Sequence, residues 1–156
     1  MFEQIHQWLS QEGVAFRHLT HEPTLTSEES ARVRGEALEI GGKALLLKID
    51  QTFHLFVISA ARKLDSKAIK KHFKAKKLRF ATREELAELT GLVPGSVPPF
   101  GHPILPFDLY VDTSIMENER IAFNAGSLTQ SVIMQVADYQ KLAQPKVMLF
   151  SKADQN

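Results

Sequence analysis

The spacing of apolar positions changes several times along the chain, and each change marks an element. Phe2, Ile5 and Leu9 lie on one helical stripe that closes at Gly13, which predicts a short amphipathic helix. Val14 to Leu19 reads as a strand and His21-Glu22-Pro23 as a break. Thr26-Ser27-Glu28-Glu29 has capping-box spacing, with Thr26 as N-cap, Glu29 returning to its amide, and the helix ending at Gly35. Two β-rich runs, Lys43 to Ile49 and Phe53 to Ser59, flank Asp50-Gln51 and predict a hairpin. Asp65 or Ser66 then caps a helix whose Ile69 and Phe73 face inward, and Leu78 to Phe80 is a short strand. Thr82 and Glu85 open a second capping-box helix, which ends at Gly91.

Beyond a Pro/Gly-rich loop, Leu109 to Thr113 and Arg120 to Asn124 predict a hairpin across Met116-Glu117-Asn118-Glu119. Ser131 to Val136 adds a strand, Asp138 to Leu142 a helical turn, and Val147 to Phe150 a last short strand. No repeat, low-complexity tract or linker interrupts the pattern, so residues 1–156 are expected to form one domain. About seven strands and about four helices in mixed order predict an α/β domain built on a mixed, largely antiparallel, curved sheet.

Composition narrows the chemistry. With 156 residues and 44% hydrophobic content there is material for a single core. The absence of cysteine excludes disulfides, thiolate metal sites and a cysteine nucleophile, and fits a reducing compartment. The N-terminus lacks the basic region and apolar run of a secretory signal, and no apolar stretch is long enough to span a bilayer. A soluble, cytoplasmic protein is the expectation. The net charge of +1 hides an asymmetry: nine of the 19 Lys/Arg lie between Arg62 and Arg79, beside a single acid, Asp65. That predicts a positive face on an otherwise acidic body. Lys63, Lys67, Lys70, Lys71, Lys74 and Lys77 are therefore candidates for contact with a phosphate backbone, although the same run also reads as a solvated helix face.

Two segments carry candidate chemistry. Lys43 heads the apolar run Ala44-Leu45-Leu46-Leu47, where an ammonium removed from water needs an anion or a strongly polar oxygen beside it. The alternative is an edge lysine whose stem snorkels to solvent, as expected of Lys48. The loop Gly91-Leu92-Val93-Pro94-Gly95-Ser96-Val97-Pro98-Pro99-Phe100-Gly101 is stiffened by proline, and its glycines let main-chain amides approach a carbonyl oxygen. It also reads as a rigid connector. Asn124-Ala125-Gly126-Ser127 leaves a strand and enters a polar turn that could line a pocket or simply satisfy its own hydroxyls.

Ser127, Thr129 and Ser131 have no His or Asp at a telling spacing, so a serine triad is unsupported. His18 and His21 lack a third ligand nearby, and His102 could serve a site or cap the next strand. Neither a Walker loop nor a dinucleotide fingerprint is present, which argues against ATP or NAD chemistry.

The ordered set Thr26-Ser27-Glu28-Glu29-Ser30-Ala31, Lys43 to Leu47, Lys77-Leu78-Arg79-Phe80, Gly91 with Gly95 to Gly101, and Asn124 to Ser127 resembles the YbaK-type, prolyl-tRNA synthetase-associated editing-domain superfamily, from about Val14 to Asp138. The resemblance implies a free-standing aminoacyl-tRNA deacylase that removes a small amino acid from mischarged tRNA in trans, without cofactor or metal. Mischarged tRNA is the implied partner, with a prolyl-tRNA synthetase or another translation component as a further one. The family's lysine matches Lys43, and its Gly-x-x-x-Pro loop matches Gly95 to Pro99, with Gly101 also matching. Lys43 would then hold the terminal phosphate or acyl group, and Gly95 and Gly101 would serve the ester carbonyl. Thr26, Ser96, Val97, Pro98, Pro99, Phe100, Asn124, Gly126 and Ser127 would bind substrate.

Some members carry a histidine-bearing segment where this chain has Phe123-Asn124-Ala125-Gly126-Ser127, so their amino-acid specificity is not carried over. The expected reaction is attack by water, oriented by the substrate's ribose hydroxyl, with no covalent protein intermediate. The competing expectations are a non-catalytic tRNA- or small-ligand-binding module of the same fold and a hydrolase of small esters.

Overall fold

A computed structural model describes residues 1–154. Strands β2 (Gly42–Ile49) and β3 (Thr52–Ser59) form the expected hairpin, in register from Gly42 opposite Ser59 to Ile49 opposite Thr52. Alternate residues leave opposite faces of the pair. Leu46, Leu55 and Val57 enter one core, while Leu47, Ile49, Phe56 and Ile58 enter another. Burial on both sides is why this stretch is continuously apolar.

Strands β5 (Leu78–Phe80), β6 (Leu109–Asp112) and β9 (Lys146–Met148) complete a five-stranded sheet in the order β5-β2-β3-β6-β9. β6 runs parallel to both β3 and β9, and the other pairs are antiparallel. An antiparallel three-stranded sheet has the order β1 (Phe16–Thr20), β8 (Gln130–Gln135), β7 (Arg120–Asn124). Strands β4 (Arg62–Leu64) and β10 (Ser151–Ala153) pair with each other.

The inner faces of the two larger sheets meet α1 (Phe2–Gln11) through Ile5 and Leu9, the Pro/Gly loop through Val97 and Phe100, and α6 (Val136–Ala143) through Val136 and Tyr139. Helix α3 (Ser66–Phe73) covers the other face of the large sheet with Ile69 and Phe73, leaving Lys67, Lys70 and Lys71 in solvent. The α/β class and the mixed, largely antiparallel pairing are as expected.

Three details differ. The hairpin expected between Leu109 and Asn124 does not form. Asp112 instead caps the short helix α5 (Thr113–Met116), accepting from the Ser114 amide at 3.0 Å, and the chain turns into the other sheet. All four residues of β6 are buried, as suits an interior parallel strand, whereas β7 divides Ile121 and Phe123 from Ala122 between two cores. β4 and β10 are short and rich in Lys, Arg and Ser, so no alternation announces them. Helix α2 (Ser27–Arg34) is capped by Thr26 as expected, but Glu29 accepts from the Leu25 amide instead of that of Thr26. Helix α4 (Arg83–Thr90) has the complete capping box of Thr82 and Glu85.

Asp112, fully buried, fastens the C-terminal strand. Its carboxylate accepts from the Phe150 amide at 2.7 Å and the Ser151 hydroxyl at 2.6 Å as well as from Ser114. Burial alone would raise its pKa, but the hydrogen bonds from Ser114, Ser151 and Phe150 outweigh it and hold the group below its ordinary value. Among the described residues no helix is long and apolar enough to cross a membrane.

Candidate active site

β5 covers only Leu47 to Ile49, so the first half of β2 is an open sheet edge. A cleft of about 500 Å³ lies along that edge. Its walls are Gly41 to Leu45, the segment from Thr24 into α2, the start of β4, the loop at Gly95 and Val97, and Asn124. Lys43 and the Pro/Gly loop, about fifty residues apart in sequence, thus border one cavity. Lys43 is exposed on the rim rather than buried, so the cost of hiding an ammonium, which drew attention to it, does not arise.

Four cations, Arg34, Lys43, Arg62 and Lys63, face two acids, Glu28 and Asp154, across the cleft. Among the described residues none of the four forms an ion pair; the salt bridges are Arg17–Glu36, Arg120–Glu36 and Arg79–Glu85. Arg62 donates from Nε to the Ser151 hydroxyl at 2.6 Å, so it keeps its charge available. Unneutralised cations around a concave surface draw in an anion.

The loop contributes less than its sequence suggests. Gly95 and Val97 border the cleft, and among the described residues neither amide donates elsewhere in the protein. The Ser96 amide is bound to the Val93 carbonyl at 3.1 Å and its hydroxyl closes the same turn at 2.8 Å, so Ser96 holds the loop's shape. Pro98, Pro99 and Phe100 are buried behind it. Phe100 packs on Trp8, Phe123 and Tyr139, and the Pro99 carbonyl accepts from the Tyr139 hydroxyl at 2.6 Å.

Gly101 also lies away from the cleft. A Cβ there would stand 2.5 Å from the Phe107 carbonyl oxygen, which makes it a packing glycine. Gly101→Ala should therefore lower stability by about 1–3 kcal/mol, read as an earlier urea midpoint. A variant as stable as the parent would return Gly101 to the list of site candidates. Gly126 faces Met1, Ser127 holds the Thr129 amide at 3.1 Å, and the stretch Phe53 to Ile58 runs through the core; none of them borders the cleft.

Thr26 and Asn124 do line it. The Thr26 hydroxyl is engaged as the α2 cap, accepting from the Glu29 amide at 3.1 Å. Asn124 donates from Nδ2 to the Gly95 carbonyl at 2.8 Å, and its Oδ1 accepts from Arg34 at 3.0 Å. Arg34 was not singled out in the sequence. At 8% exposed it donates from Nε to the Ser131 hydroxyl at 3.0 Å, and every partner it has is neutral. Burial pulls its pKa down to about 10, so it remains a cation at neutral pH.

Ser131 does meet a histidine, contrary to what spacing indicates. His21 Nε2 lies 2.7 Å from its hydroxyl, while His21 Nδ1 bonds the Glu22 carbonyl at 2.8 Å. Ser131 is nevertheless fully buried and does not border the cleft, so this pair supports Arg34 instead of acting as a nucleophile.

The six candidate backbone lysines are all exposed. Lys67, Lys70 and Lys71 stand on α3, Lys63 lies on β4 at the cleft rim, and Lys74 and Lys77 follow the helix. Arg79 is partly withdrawn from this face by a two-pronged pair with Glu85, at 2.7 and 3.0 Å. That hydrogen-bonded pairing, with further bonds to Thr82, holds the Glu85 carboxyl down at about 2. Among the described residues no group of three or more His, Asp or Glu converges as metal ligands would.

A cationic cleft on an open sheet edge, with a basic helix following β4 in the chain, defines a surface suited to a polyanion. The chain belongs to the aminoacyl-tRNA editing domain family, which it matches over residues 21–142 and whose members hydrolyse mischarged aminoacyl-tRNA. It is 39% identical over 150 residues to the multifunctional Ser/Thr-tRNA deacylase ProXp-y of Escherichia coli (strain K12), covering 92% of this chain and 89% of that protein. A proline–tRNA ligase of Shouchella clausii is 33% identical over 100 residues, which span 64% of this chain and 17% of the ligase. The solved structure of a candidate trans-editing enzyme for prolyl tRNA synthetase shares the fold at a TM-score of 0.84, with 23% identity and 97% of each chain covered.

Proposed function

We propose that this protein acts in trans on mischarged tRNA, hydrolysing the ester between serine or threonine and the 3′-terminal adenosine. The observation that carries this is a cleft whose cations form no ion pair among the described residues and which is bordered by Gly95 and Val97, whose amides donate to no other group there. Likeness to a Ser/Thr-tRNA deacylase over most of both chains supports the choice of amino acid.

Lys43, Arg62 and Lys63 at the rim attract the terminal phosphates. The ester carbonyl faces the amides of Gly95 and Val97, which stabilise the negative charge that develops when water adds; one such donor contributes about 3–4 kcal/mol. Collapse of the adduct breaks the ester bond, releasing the amino acid and returning the proton to the ribose oxygen. The substrate's own vicinal hydroxyl orients the water. Pro98 and Pro99 keep the loop from spending binding energy on ordering. A prolyl-tRNA synthetase fits as a partner, supported by the similarity to part of a proline–tRNA ligase.

The test is a panel of tRNAs charged with serine, threonine, alanine and cysteine, scored by release of free amino acid. Release of serine and threonine is expected. Tight tRNA binding with no ester loss on any substrate would overturn the proposal in favour of a binding module. The basic face makes a separate prediction. Replacing Lys67, Lys70 and Lys71 by glutamine should reduce the slope of log K against log salt for tRNA binding by about 2–3. An unchanged slope would remove α3 from the tRNA contact.

A further inference from the structure

We propose that Arg34 determines specificity by donating hydrogen bonds to the side-chain hydroxyl of the esterified amino acid. The inference rests on the deacylase reading above and deepens it.

A guanidinium has five N–H donors. Two are engaged, by the Ser131 hydroxyl and Asn124 Oδ1, and both acceptors are neutral. Arg34 borders the cleft, and its remaining nitrogen is not sealed off in the interior: among the described residues the buried side-chain polar atom left without a partner is His54 Nδ1. Gly41 borders the same cleft beside it: a Cβ there would touch Arg34 Nη1 at 3.8 Å, an ordinary contact, and would crowd Ala60 Cβ at 3.1 Å and the Leu38 carbonyl oxygen at 3.2 Å. Arg34 thus holds a planar, mostly buried guanidinium at the cleft, and among the described residues nothing bonds its remaining nitrogen.

Position selects the ligand. Lys43 and Lys63 are exposed, at the mouth where phosphates arrive, whereas Arg34 is almost wholly buried. The part of an aminoacyl end that passes beyond the ester is the amino-acid side chain, and in serine and threonine that side chain carries an oxygen acceptor. An isosteric methyl in place of the hydroxyl would cover the guanidinium without accepting from it, leaving a buried charged donor unmatched. Sites built to bond a hydroxyl reject such analogues far more strongly than apolar pockets distinguish sizes. The mount is rigid: Ser131 is fixed by His21 at 2.7 Å and Asn124 by the Gly95 carbonyl at 2.8 Å, which also sets the distance between this donor and the catalytic loop.

The experiment charges one tRNA with serine and, separately, with 2-aminobutyrate, in which methyl replaces hydroxyl. The wild-type protein should deacylate the serine ester with kcat/KM at least about tenfold higher. Arg34→Met should bring that ratio close to one from both sides, slowing the serine ester, which loses its donor, and speeding the 2-aminobutyrate ester, which no longer leaves a guanidinium unmatched. Equal rates on the two esters by the wild-type protein would overturn the proposal, and this arm needs no variant to fold. Arg34→Met slowing both esters equally would overturn it too, since that is the signature of a residue serving the carbonyl, the phosphate or the fold. Failure of the deacylase reading looks different: the wild-type protein would release no amino acid from any charged tRNA, and the proposal would fall with it.

Discussion

Lys43→Ala should lower kcat/KM on mischarged tRNA by about 10- to 100-fold, the range expected when a hydrogen bond to a charged group worth about 1.5–3 kcal/mol is lost. The side chain stands on the cleft rim in solvent, and among the described residues it forms no ion pair. Its removal therefore costs the fold little, and the urea midpoint should stay near that of the parent. Lys43→Arg should recover part of the activity, because a phosphate accepts from either cation. The deficit should shrink as salt is raised, since screening weakens what the wild-type lysine contributes. Unchanged turnover by Lys43→Ala on every substrate the parent cleaves would remove the residue from the mechanism.

Asp112→Ala should lower stability by about 3 kcal/mol or more. It strands the Phe150 amide and the Ser151 hydroxyl in the interior and removes the cap on the partly buried Ser114 amide, and an unmatched buried group costs about 1–3 kcal/mol. Ser151 in turn accepts from Arg62, so the loss should also loosen a cation of the cleft wall and reduce turnover in the folded fraction. A pH series checks the electrostatic part. The carboxylate has a folded-state pKa below its unfolded one, so its contribution is complete above the unfolded value, about 3.9, and is lost as pH falls through the lowered folded value. Asp112→Asn should accordingly flatten the acid limb of the stability curve. A parallel limb in the two proteins would place the acid sensitivity elsewhere.

The pieces visible in the sequence were those whose signal is local. The α2 and α4 caps, the β2–β3 hairpin and the β5 strand each follow from residues within one short window, as Thr82 with Glu85 or Asp50-Gln51 show. Lys43, Gly95, Val97, Thr26 and Asn124 came from motif order, and the fold gathers them at one cleft. What stayed hidden depends on long-range pairing. Leu109 to Asp112 looks like half of a hairpin until its complete burial reveals an interior parallel strand. Arg34 is the last basic residue of an ordinary polar helix, and only contact with Ser131, 97 positions away, sets it apart. Glycine content could not separate Gly95, which opens onto the cavity, from Gly101, whose missing side chain makes room for the Phe107 carbonyl.

The short reach of β5 has a colloidal consequence as well. A strand flank with unclaimed main-chain groups is a template for docking an extended segment from a neighbouring molecule, and a charged residue on it is a common safeguard. The ammonium of Lys43, which we propose meets the incoming nucleic acid, would therefore also keep one molecule from zipping onto the next. Neutralising it should leave a protein that stays folded yet clumps as its concentration rises.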